Sequence, residues 1–137
     1  MIKNLPESRI YACCLLIVAG AAGSAGGCRK RAEAPPRSPD GALAIYSFVN
    51  DGRFDPKLVT LIGFEVRDDK GAVHVRRQTI ASDRMRWRMG WDADGRVWLN
   101  SRDIGYLCWA RKPGSTEWEE VENPVRHLPI PDSVKLD

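Results

Sequence analysis

From Arg84 to Trp91 the chain alternates without a break, with Arg84, Arg86 and Arg88 at one parity and Met85, Trp87, Met89 and Trp91 at the other. Side chains that repeat every second residue share one face of a strand, whereas a helix would scatter them around its circumference. This segment therefore predicts a half-buried strand. The next residues, Asp92-Ala93-Asp94-Gly95-Arg96, suit a three-residue hairpin loop with glycine in the left-handed position. That loop sets Trp91 opposite Val97 and Met89 opposite Leu99, keeping one apolar face. A tight connection at Arg102-Asp103 then leads into Ile104–Arg111, placing Leu99 opposite Tyr106 and Val97 opposite Cys108. Cys108 is accordingly expected on the apolar face, as a small buried hydrophobe.

The rest of the body reads the same way. Residues 42–50 form a first strand and Leu58–Arg67 a second; Asp68-Asp69-Lys70-Gly71 is turn chemistry, and Ala72–Gln78 returns. A four-residue loop sets Val66 opposite Val73 and Phe64 opposite Val75. Pro113-Gly114-Ser115 makes another turn before a short strand at Glu117–Val121, and residues 124–137, with Pro124, Pro129 and Pro131, read as an irregular tail. No helix of convincing length is present. The expected fold is all-β, a single small antiparallel sandwich or barrel over residues 42–123 with a central three-strand meander. The segment Trp91–Trp98 resembles a hairpin of some β-propeller blades; it occurs once, so the resemblance is one of local turn chemistry.

The N-terminus carries a different pattern. Lys3 and Arg9 precede an apolar core from Ile10 to Ala22, about the length of a signal-peptide core and short for a bilayer-spanning helix. Small residues run from Ala21 to Gly27, and Cys28 follows. This resembles a bacterial lipoprotein signal (residues 1–27). The resemblance implies that Cys28 is lipidated and becomes the new N-terminus, and that the protein sits in the cell envelope, held on a membrane and facing the periplasm or the exterior. Two other outcomes stay open from the residues: cleavage at Ala22–Ser24, which would leave Cys28 free to pair with Cys108, and an uncleaved anchor. Residues 28–41 read as a proline-rich tether, with Pro35, Pro36 and Pro39 and no apolar periodicity. Acyl chains together with Arg29, Lys30 and Arg31 supply the two signals that stable membrane attachment requires.

Composition then narrows the function. A net charge of +3 with acids and arginines interleaved argues against a nucleic-acid surface. His74 and His127 have no metal-ligand spacing, Asp92 and Asp94 belong to a turn rather than a calcium loop, and no nucleophile elbow or phosphate loop is present. No catalytic residues, metal or cofactor are expected. The second face of the meander, with Arg84, Arg86, Arg88, Arg96, Trp98, Leu107 and Trp109, is the candidate binding face for an envelope polymer, a lipid headgroup or an envelope protein. The competing expectation is that other chain covers its apolar members while the arginine heads reach water. The functional expectation is a non-catalytic binding or assembly module of the envelope; the alternative is a secreted inhibitor of an envelope hydrolase.

Overall fold

The fold is built from strands whose alternate residues are aliphatic or aromatic. The computed structural model describes residues 33–50 and 60–137. The signal segment, Cys28 and the first residues of the expected second strand lie outside the described residues. Seven strands follow in order: β1 (Leu43–Val49), β2 (Leu61–Asp68), β3 (Val73–Ser82), β4 (Trp87–Trp91), β5 (Val97–Ser101), β6 (Gly105–Arg111) and β7 (Trp118–Glu120). They form two antiparallel meanders, one in the order β1-β2-β3 and one in the order β4-β5-β6-β7. Neither sheet closes on itself, so of the two expected architectures this is the sandwich. Ile45, Ile62, Phe64, Val66 and Val75 of the first sheet pack with Met89, Trp91, Val97, Leu99, Trp109 and Trp118 of the second. The β4–β5 hairpin has the expected register, Trp91 with Val97 and Met89 with Leu99. Its loop closes through Gly95 N–H on the Asp92 carbonyl, with Gly95 at φ 77°.

Three expectations are corrected. β4 starts at Trp87, and Arg84, Met85 and Arg86 lie in the turn that carries the chain between sheets. Met85 is 42% exposed and outside the core. In the β2–β3 hairpin Val66 faces Val75 and Phe64 faces Arg77: the loop is the three residues 69–71, which moves the register by one, and an irregularity that leaves His74 outside the pairing moves it by another. That shift is two residues, so Val75 still points inward with Phe64 and Val66. In β5–β6 the shift is one residue: Leu99 faces Leu107, Val97 faces Trp109 and Trp98 faces Cys108. The connection is Arg102-Asp103-Ile104 ending on Gly105 at φ 79°, a left-handed position that glycine occupies without strain, not a two-residue turn. One residue is enough to exchange the faces of β6.

The boundaries of the body also move. The compact unit starts at Glu33, within the stretch read as tether. Arg37 bridges to Ala44, and the Pro36 carbonyl accepts from the Ile45 amide at 2.9 Å and from the Trp91 indole at 2.9 Å. Residues 124–137, expected as an irregular tail, are largely irregular but packed against the second sheet. A one-turn helix, α1 (Pro124–His127), packs on β6, and a 3-10 turn at Asp132–Val134 packs on β4 and β5. Val134 is fully buried against Trp98 and Cys108, with Tyr106, Val121, Leu128 and Ile130 around them. Asn100 Nδ2 donates to the Val134 carbonyl at 2.9 Å, and Ser133 Oγ to that of Trp91 at 3.0 Å.

This strap needs a bare backbone beneath it. A Cβ on Gly90 would lie 2.7 Å from Ser133 Oγ and 3.1 Å from Val134 Cγ1. Gly90→Ala is therefore expected to lift the strap, lower stability by about 1–3 kcal/mol and expose Cys108. A maleimide that leaves the parent protein unlabelled at Cys108 should label the variant; an unlabelled variant of parental stability would contradict the close approach.

Candidate functional site

Of the residues expected to form one binding face, Leu107 and Trp109 turn inward, Arg84 lies in the preceding turn, and Arg86, Arg88 and Arg96 stay around Trp98. Trp109 points into the inter-sheet core, 3% exposed, its ring 4.7 Å from that of Phe64. Leu107 packs against the same core. Trp98 does lie on the outer face of the second sheet, fully buried beneath the strap. Arg88 Nη1 donates to the main-chain oxygen of Lys135 at 2.7 Å, and Arg86 Nη1 to that of Asp137 at 3.0 Å. Arg96 is held by Asp92 and Asp94, both at 3.0 Å. Arg84 is exposed in the turn before β4. The cover over Trp98 comes from residues 124–137 rather than from a sheet, and two arginine heads fasten it.

Asp92 organises this region. Its Oδ1 accepts from the Asp94 and Arg96 amides, each at 2.9 Å; its Oδ2 accepts from the Trp98 indole at 2.9 Å and from the Arg96 guanidinium at 3.0 Å. Burial alone would push the Asp92 carboxyl up. The bonds from Trp98 and Arg96 outweigh it and hold the carboxyl below its ordinary value. Asp68 repeats the device at the other loop: its Oδ1 accepts from the Lys70 and Ala72 amides, and its Oδ2 lies 3.0 Å from His74 Nε2. Cys108 sits beside Trp98 on the same face, and burial pushes its thiol up to about 12. Burial thus favours the protonated form of the thiol and shields it from solvent.

The outer face of the first sheet carries an arrangement that sequence reasoning missed. Glu65, with a side chain only 7% exposed, accepts from Arg67 Nε at 2.7 Å and Arg76 Nη1 at 2.6 Å. Each guanidinium also lies over a ring, Arg67 over Tyr46 at 4.8 Å and Arg76 over Phe48 at 4.5 Å. The hydrogen bond from Arg67, with Arg76 beside it, holds the Glu65 carboxyl below its ordinary range. These groups satisfy one another, so the layer reads as a brace across three strands.

One concavity brings unlike chemistry together. A cleft of about 310 Å³ lies at the end of the sandwich, walled by Leu43, Trp91 and Trp118 and rimmed by Asp40, Asp94 and Arg111. The Arg111 guanidinium lies 5.5 Å from the centre of the Trp118 ring, and Trp118 meets Trp91 edge-on at 6.3 Å. Asp40 is held below the ordinary carboxylate range by the Ser38 hydroxyl first, then by the Ala42 amide, with Arg111 contributing. Trp118 is 6% exposed, and its indole N–H has no hydrogen-bond partner among the described residues. Buried donors of this kind are rare in folded proteins. The cleft therefore offers apolar ring surface, a guanidinium donor and two carboxylate acceptors within one small volume. Sequence reading could not find it, because its walls come from residues 38–43, the β4–β5 loop and the facing ends of β6 and β7.

Among the described residues no three His, Cys, Asp or Glu side chains gather as a metal site, and no helix is long and apolar enough to cross a membrane. The fold and site define a small two-sheet sandwich with a strap over one outer face and a polar cleft at one end. No family model, curated protein or solved structure matches this chain.

Proposed function

We propose that the chain is exported, anchored by a lipid on Cys28, and serves as a non-catalytic binding module of the cell envelope, with the Trp91–Trp118–Arg111 cleft as its binding site. The export and anchor rest on the apolar core from Ile10 to Ala22, the small residues up to Gly27, and Cys28 itself. The observation that carries the binding role is the convergence in one cleft of the Trp91 and Trp118 rings with the Arg111 guanidinium and the Asp40 and Asp94 carboxylates. Such a set suits a polymer bearing both hydroxyl or amide donors and carbonyl acceptors, as envelope glycans and their peptides do.

The test is retention of the purified, lipid-bearing full-length protein on insoluble envelope polymer. Arg111 is exposed, so Arg111→Ala should alter stability by no more than about 0.5 kcal/mol, yet reduce retention about tenfold; Asp40→Asn should weaken it less. Equal retention of parent and variants would remove the cleft from the binding role. Stoichiometric capture of an envelope hydrolase, with polymer retention unchanged, would replace the module by an inhibitor.

A further inference from the structure

We propose that the open side of the sandwich between β1 and β4 rests on the anionic surface of the membrane that holds the anchor, an inference that builds on the lipid-anchor reading above. The body starts at Glu33, and only residues 29–32 separate it from Cys28. At about 3.3–3.6 Å per residue, five steps of fully extended chain reach roughly 18 Å. With a lipid on Cys28, chain length alone keeps residue 33 within that distance of the lipid.

The side of the body from which residue 33 departs is identifiable. Glu33 and Ala34 line a cleft of about 500 Å³ whose walls are Tyr46 and Ser47 from β1 and Trp87 and Arg88 from β4. Its surroundings carry more positive than negative charge, with Glu33 the acid of the lining. Arg84, Arg86 and Arg88 are exposed along the approach to β4, and no side-chain carboxylate among the described residues pairs with them. Arg86 and Arg88 spend one N–H each on main-chain oxygens and keep their charge. Arg29, Lys30 and Arg31 lie in the four-residue leash itself. Tyr46 is 38% exposed and Trp87 partly so, the amphipathic rings that favour a headgroup layer. The opposite open side, where β3 meets β7, exposes Glu117, Glu119 and Glu120; Lys112 pairs with the first two, Arg76 is paired to Glu65, and Arg77 keeps its charge while donating to main-chain oxygens, so acids outnumber the free cations there. The charge of the two sides therefore turns the β1–β4 side toward an anionic bilayer and the β7 side away from it.

Cysteine reporters on the lipid-bearing full chain test this. Ser47→Cys sits in the β1–β4 cleft and Thr116→Cys beside the β3–β7 groove. The native thiols are silent: Cys13 and Cys14 leave with the signal, Cys28 carries the lipid, and Cys108 is fully buried. In vesicles of phosphatidylethanolamine with about one quarter phosphatidylglycerol, a water-soluble maleimide should label Ser47→Cys about tenfold more slowly than Thr116→Cys. In detergent the two rates should converge, and in purely zwitterionic vesicles most of the protection should vanish. Ala34→Cys lines the same cleft and gives the same readout should Ser47→Cys not fold. Equal labelling in the anionic vesicles, with an acyl mass present on Cys28, overturns the docking and leaves the anchor standing. An unmodified N-terminus in the same sample overturns the anchor itself.

Discussion

Asp92→Ala is expected to lower stability by about 3–5 kcal/mol, the cost of removing one member of a buried charged pair and leaving its partners without acceptors. Four donors converge on this carboxylate: two loop amides, the Trp98 indole and the Arg96 guanidinium. Its side chain is 8% exposed, so water cannot replace what is lost. Domains of this size are stable by about 5–15 kcal/mol, so the variant should unfold at far lower denaturant, most plainly through loss of the near-ultraviolet signal of Trp98. The pH dependence follows from the same bonds. A carboxyl held below its unfolded value of about 3.9 contributes stability that is fully present above that value and is lost as pH falls through the folded one. The gap between parent and Asp92→Asn should therefore be widest above about pH 4 and close under stronger acid. A gap that does not vary from neutral pH to pH 2 would show that the carboxylate charge is not what the loop and Trp98 recognise.

Trp109→Ala is expected to cost a similar amount, about 3–5 kcal/mol, from lost burial and the cavity left behind. Trp109 lies between the sheets against Phe64, opposite Val97. In the register expected from a two-residue turn at Arg102-Asp103 it would stand on the outer face, where truncation costs little unless a partner covers it. Equilibrium denaturation of Trp109→Ala beside Leu107→Ala thus reads the register of β6 directly. Near-parental stability for both would return Trp109 to the surface and reinstate the face drawn from the sequence.

The fold class was legible because hairpin chemistry and period-two alternation are local signals. Asp-x-x-Gly at 68–71 and 92–95 marks two loops, and the ring six residues beyond each aspartate, His74 and Trp98, marks the carboxylate's second partner. The same Asp-x-x-Gly-x-x-ring spacing thus recurs at both loops. Register was legible only where the loop length was unambiguous. The β4–β5 loop has its glycine where a three-residue loop requires it, whereas Arg102–Gly105 fits either of two loops and the wrong one inverts a strand. The candidate site was not legible. The cleft joins residues more than seventy positions apart, such as Asp40 and Arg111, and the strap over Trp98 depends on Val134 reaching back across β5. A tail rich in proline reads as irregular, and its buried valine becomes meaningful only beside the indole it covers.

The most direct test of the account is the intact mass of the mature chain extracted from the membrane fraction of its native host. The account predicts a chain that starts at Cys28 and carries acyl groups on that residue, with Cys108 as a free thiol. An unmodified N-terminus between Ala22 and Ala25, or a chain that retains residues 1–27, would contradict the lipid anchor and, with it, the placement of the sandwich at a membrane surface.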